Sequence, residues 1–350
     1  MNRRENTLRA VRFDRPEHIP MSFGINNACW GYYPHDALQA LMATHPFLFP
    51  NYVPRETPVT PDYAPWRRKD SIHTDSWGCR WQTARDGMTG AVIDHPLQTW
   101  DALDGLVPPD PATDWGWGRI DWSLVQKDLY QAKERGELVR GSLRHGHTFL
   151  TLVYLRGYEN AVLDLADGGP EIRRLLATIE EFNLGLVRRY LGLGVEWMGY
   201  PEDLGMQVGP MLSPTQFKQF IKPIYERLMV PAREQGCIIH MHSDGDVRLL
   251  AQDLLECGID VLNIQDRVNG VEWIAAHLMG RVCIDLDVDR QGVTRFGTPS
   301  DIDSLIQDHI KTLGCREGGL LLRYELLPGV PLENAKALMD GMTRYAGHYA

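Results

Sequence analysis

The sequence has no long apolar run, no basic block and no paired-cysteine motif, and each absence removes a class of function. Its longest apolar stretches fall far short of the ~20 residues that cross a bilayer, so no membrane span is expected. Lysine and arginine number 36 against 46 aspartates and glutamates, for a net charge of −10. Without a basic patch, nucleic acid and anionic membrane surfaces are not expected partners. The opening Met1-Asn2-Arg3-Arg4-Glu5-Asn6 lacks the apolar core of a signal peptide. Six cysteines (29, 79, 237, 257, 283, 315) stand apart with no C-x-x-C pair. That usage implies reduced thiols in a cytoplasm, and small buried apolar side chains rather than a disulfide framework.

What remains is ordinary globular material: 350 residues, 43% hydrophobic and 23% charged, enough to bury a large core. Length alone permits one α/β barrel or two smaller domains. The second half alternates short apolar runs with amphipathic segments. Strands are predicted over 196–200, 237–241, 260–264, 281–285 and 318–324, and helices over 214–234, 247–257, 271–278, 300–313 and 332–345. Upstream, 18–23 and 138–142 read as strands. The helix over 171–191 keeps Ile172, Leu175, Leu176, Ile179, Phe182 and Leu186 on one face. Roughly eight β–α units favour a (β/α)8 TIM barrel over an open sheet. The chain reads as one domain, 1–350, with an irregular Trp/Pro-rich insertion over 46–111 and a hairpin near Trp77 to Trp81. Six of the ten tryptophans fall between Trp66 and Trp117. They read as packing, or as an aromatic wall for a flat ligand.

The chemistry concentrates in Ile238-Ile239-His240-Met241-His242-Ser243-Asp244-Gly245-Asp246. His240, His242 and Asp244 have the period-2 spacing that puts all three on one side of an extended segment. Imidazole plus carboxylate is a zinc-type ligand set. The competing reading is a His-rich loop whose Asp244 or Asp246 caps the next helix.

Several phrases, in order, resemble the uroporphyrinogen decarboxylase superfamily. They include Arg4-Glu5-Asn6-Thr7-Leu8-Arg9-Ala10-Val11 with Arg15-Pro16-Glu17-His18-Ile19-Pro20, Asp75-Ser76-Trp77-Gly78, and Leu155-Arg156-Gly157-Tyr158-Glu159-Asn160. Glu202-Asp203-Leu204-Gly205 with Ser213-Pro214, His242-Ser243-Asp244-Gly245, Gly258-Ile259-Asp260-Val261-Leu262-Asn263 and Pro331-Leu332-Glu333-Asn334 complete the set. The resemblance implies a (β/α)8 barrel. It also implies one of two chemistries. The decarboxylase branch grips substrate carboxylates with arginines in an early loop, and the loop Phe23-Gly24-Ile25-Asn26-Asn27-Ala28-Cys29-Trp30 has none. The corrinoid-dependent methyltransferase branch, which the chain resembles more, holds zinc with one histidine and two cysteines. His242 stands at the histidine, Asp244 at the first cysteine, and Tyr324-Glu325 at the second.

Replacing thiolates by carboxylates hardens the metal and favours an oxygen donor. The resemblance therefore implies a zinc methyltransferase of the O-demethylase type. Its methyl donor would be a small O-methyl compound, among which methoxylated aromatics fit. Its acceptor would be a corrinoid on a separate protein, because the chain has no Asp-x-His-x-x-Gly signature. Decarboxylase and non-catalytic binding barrel are the alternatives, and a homodimer is left open. The metal set is His242 and Asp244, completed by Glu325 or Glu202. Glu202, Asp203 and His240 are the catalytic candidates, with His240 also placed to support His242. Asn26, Asn27, Trp30, His145, His147 and Tyr324 are the substrate-binding candidates.

Overall fold

Short, largely apolar runs form the main strands, and the amphipathic stretches between them form helices. In the computed structural model the described residues are 1–57 and 60–348; positions 58 and 59 of the insertion, and 349 and 350, lie outside them. Ten strands follow in chain order: β1 Met21–Ile25, β2 Ile72–Thr74, β3 Arg80–Gln82, β4 Ala91–Asp94, β5 Arg140–Ser142, β6 Trp197–Asp203, β7 Ile238–Asp244, β8 Val261–Gln265, β9 Cys283–Asp287 and β10 Leu320–Leu326. Two compact units divide them. The first comprises Met1–Ser71, Gln82–Gly90 and Gln265–Ala350, and the second Ile72–Trp81 and Ala91–Ile264. Among the described residues, no helix is long and apolar enough to cross a membrane.

In the first unit β10 pairs in parallel with β1 and with β9, in register Met21↔Leu322 and Leu320↔Ile284. The helices Pro299–Leu313 and Leu332–Tyr345 bury Ile302, Ile306 and Ile310, and Leu338, Met339 and Met342. A Thr298/Asp301 capping box starts the former.

In the second unit β5, β6, β7 and β8 pair in parallel in that order, with Ser142↔Gly199, Pro201↔His242 and His242↔Asn263 in register. The helix Pro170–Gly192 buries the predicted stripe from Ile172 to Leu186. The predicted single helix over 214–234 is broken. Pro214–Gln216 starts it under a Ser213/Gln216 capping box, a π turn spans Phe217–Ile221, and Lys222–Glu234 completes it. Pro223 cannot donate to the preceding turn, and the ladder widens there.

The insertion contains a small sheet in the order β2-β3-β4. Asp75 organises it. Its carboxylate accepts from the Trp77 and Cys79 amides and the Trp81 indole, and faces Arg144 at 3.6 Å. Trp77, Trp81 and Trp117 are buried, with the rings of Trp81 and Trp117 4.4 Å apart. For these three, packing is what the tryptophans do.

One buried carboxylate fixes how the strands meet the helices. Glu202, near the end of β6, accepts hydrogen bonds from the amides of Thr148, Phe149 and Leu150 at 2.9, 2.9 and 3.1 Å, and from the Tyr225 hydroxyl at 3.0 Å. The three amides are first-turn donors of the helix Phe149–Arg156, which have no partner within the helix. Glu202→Gln turns an NH2 group toward these donors. We expect it to cost about 1.5–3 kcal/mol of stability, read as a lower thermal midpoint by circular dichroism. An unchanged midpoint would contradict the anchoring role.

Candidate functional site

β6 ends on Asp203, and β7 carries His242 beside it. His145 arrives from the loop after β5. Asp203 Oδ1 lies 3.2 Å from His145 Nε2 and 3.5 Å from His242 Nε2. One ligand atom from each of the three lies within 4.8 Å of the others, and this is the one metal-capable group of histidine, cysteine and acidic side chains among the described residues. The Asp244 amide donates to the same Asp203 oxygen at 3.1 Å, and Asp244 Oδ1 stands 3.7 Å from His242 Nε2.

The backbone explains the convergence. Adjacent strand residues point to opposite faces, so burying Glu202 among the helices leaves Asp203 on the side of His242. Gly146, at φ +74, donates to the Pro201 carbonyl at 3.0 Å, and a Cβ there would come 2.8 Å from that of Leu150. Asn183 holds the His147 carbonyl, and Thr151 holds that of Gly146. His145 is left with its side chain about half exposed against Asp203. Behind His242, Nδ1 meets Asn263 Oδ1 at 2.5 Å. That amide oxygen only accepts, so Nδ1 carries the proton and Nε2 faces the carboxylates.

Electrostatics follow the geometry. Burial alone would lower the pKa of His242, but the hydrogen bond to Asp203 and the charges of Asp244 and Asp203 raise it. Burial pushes Asp203 up, yet the His145 and His242 hydrogen bonds outweigh it and hold the carboxyl well below its usual range. Burial raises Glu202, partly offset by its three amide donors. Burial lowers His147 to about 3. The cysteines are all free thiols, and burial pushes Cys29 and Cys257 up to about 12. These two are protonated at neutral pH and offer no thiolate.

The structure brings His242, Asp203 and His145 together, and keeps Asp244 at the edge. Other sequence expectations need correction. Glu202 is fully buried with both oxygens engaged by backbone amides, and the structure places it outside the metal-capable group. His147 is 1% exposed and its ring lies against Tyr200 and Tyr225, so the structure places it in the core rather than on an accessible surface. Tyr324 is 2% exposed and its hydroxyl bonds to Thr294, which likewise places it in the core. His240 packs against Trp197, with ring centroids 5.2 Å apart, and is not one of the three grouped residues.

Asn26, Asn27, Trp30 and Glu325 belong to the first unit. Asn26 caps the 3-10 turn Asn27–Gly31, and its amide donates to Glu325 Oε1 at 3.2 Å. The Trp30 carbonyl pairs with His35 Nε2, and its ring packs edge-on against the His35 ring, with centroids 5.7 Å apart. Sequence reasoning gave no role to Asn263. The available signal was its place on a strand two residues after Val261, on the face that meets His242.

The sequence matches the family model of uroporphyrinogen decarboxylase (URO-D) over residues 74–345. Among solved structures, a methyltransferase from Methanosarcina mazei is similar at 16% identity over 99% of each chain, with a TM-score of 0.67. That likeness places the chain in the α/β class of TIM-barrel folds. A Shewanella B12-independent methionine synthase, at 10% identity over 65% of this chain and 67% of that one, reaches a TM-score of only 0.44. No curated protein matches the sequence. The family match spans most of the chain, and the chain belongs to the uroporphyrinogen decarboxylase (URO-D) family.

Proposed function

We propose that the chain is a zinc-dependent methyltransferase that moves a methyl group from a small O-methyl compound to a corrinoid carried by a separate protein. The observation that carries this reading is the convergence of His145, Asp203 and His242 at the ends of the strands. Two imidazole nitrogens and one carboxylate oxygen are a donor set that catalytic zinc takes, with a further position left for substrate. The donors fit that role: His242 presents Nε2 while Asn263 fixes its other nitrogen, and Asp203 is held ionised. Zinc held there would supply a Lewis acid toward an ether oxygen.

The chain's own residues do the rest. Asn263 sets the tautomer and orientation of His242. His145, exposed and hydrogen-bonded to Asp203, completes the donor set from the loop that Glu202 anchors. The Asp244 carboxylate, with Oδ1 3.7 Å from His242 Nε2, adds negative charge that favours a cation held there. A hard, thiolate-free donor set favours oxygen over sulfur in the substrate. The corrinoid reading draws on the family membership and on the sequence resemblance to the corrinoid-dependent branch.

Elemental analysis of the purified chain tests the site. We expect zinc near one per chain, lost in His242→Ala and Asp203→Asn, and retained in Glu325→Gln. Asn263→Leu should keep the fold and lower zinc affinity about 10- to 100-fold. Tight stoichiometric zinc in His242→Ala would refute the assignment.

Methyl transfer to a reduced corrinoid protein tests the reaction. Methoxy-aromatics, methanol, aliphatic methyl ethers and methyl thioethers are compared with one acceptor. We expect an ether to turn over fastest and no demethylation at full rate without corrinoid. A thioether faster than every ether would overturn the oxygen preference.

A further inference from the structure

In the first unit one face of β1 and β10 is exposed at its C-terminal end, although Leu321, Asp285 and Asp287 lower on the same face are buried. On β1 and β10, Met21, Phe23, Leu320, Leu322 and Tyr324 are buried on one side. On the other side Ser22 and Gly24 are exposed, and they stand in register with Arg323 and Glu325. A strand paired on both edges in a parallel sheet is normally covered on both faces. Here β10 is paired on both edges, yet 42% of the Arg323 side chain is exposed. Serine and glycine put little side chain beside Arg323 and Glu325, and a Cβ on Gly24 would have Glu325 Cγ, at 3.6 Å, as its nearest neighbour.

The charges on this face are only half matched. Arg323 approaches one carboxylate, Asp285 Oδ2, at 3.9 Å, which is beyond hydrogen-bond distance. Its guanidinium carries five N–H donors, and they meet no side-chain acceptor among the described residues. Asp287, its register neighbour on β9, is already paired with Arg290 at 2.9 Å. Glu325 accepts the Asn26 amide at 3.2 Å and has no ion pair among the described residues. A cation with one loose ion pair and no hydrogen bond to a side chain, and an anion without a cation, thus stand two residues apart on one strand face, roughly 6.6–6.8 Å along the backbone.

We propose that this face binds a small zwitterion of amino-acid size, its carboxylate on Arg323 and its ammonium on Glu325. The planar guanidinium fork suits a carboxylate. Asn26, itself fixed by the Ala28 amide, holds Glu325 in position. A purely anionic ligand would leave Glu325 unmatched, and a purely cationic one would leave Arg323 with only its loose contact to Asp285. The proposal does not depend on zinc or on methyl transfer.

Isothermal titration of the full chain, after dialysis against a chelator, tests it without either. The probes are glycine, β-alanine and γ-aminobutyrate, each beside its N-acetylated and its carboxamide counterpart. At least one zwitterion should bind with Kd of about 1 mM or tighter. Both of its capped forms should bind at least about tenfold weaker, which is one hydrogen-bonded charge contact. In Arg323→Gln the penalty for the carboxamide should disappear, and in Glu325→Gln the penalty for the N-acetyl group. Absence of binding by every zwitterion, or a capped form binding as tightly as its parent, overturns the proposal. So does a folded Arg323→Gln variant that binds the zwitterion like the wild type. Should a variant fail to fold, the capped probes on the wild-type chain decide alone.

Discussion

The buried carboxylate of Glu202 is the constraint from which the site follows. An anion removed from water must be matched by donors, and Glu202 is matched by three amides and a phenol. Those amides open the helix Phe149–Arg156, so one contact satisfies the helix start and fixes the loop before it. His145 lies on that loop and Asp203 is the next residue on the strand. Their meeting at 3.2 Å is a consequence of where Glu202 is held.

The donor set is then limited by burial. Cysteine is the usual soft ligand, but Cys29, Cys79 and Cys257 are buried with their thiols pushed up. What stands at the strand ends is imidazole and carboxylate. Such a set depends on orientation more than on ligand softness, which gives the hydrogen bond from His242 to Asn263 its weight. It also explains why Asp203 is held so far below the usual carboxylate range: two imidazoles converge on one of its oxygens.

Several pairs of neighbouring residues in this chain have opposite fates. Glu202 faces the helices and Asp203 the site. His147 is buried against two tyrosines, while His145, across the left-handed Gly146, is exposed to solvent. Tyr324 is core, and Arg323 and Glu325 lie on the open face. In each case the side-chain types alone are compatible with either role. The partner across the strand pair decides which one has a function.

The sequence by itself determined the alternation of strands and helices, the buried stripe from Ile172 to Leu186, and the position of His242 on a strand. These are local properties: the period of apolar residues follows from backbone geometry and needs no knowledge of what lies opposite. It also held Asp203 as a candidate, without a reason to choose it over Glu202. Only the tertiary structure made that choice. His145 and Asp203 are 58 residues apart, and His242 and Asn263 are 21 apart. Which side chains share a site is set by strand register, by the left-handed turn at Gly146 and by the anchoring of Glu202. Each of these is a contact between distant segments, and no local pattern encodes it.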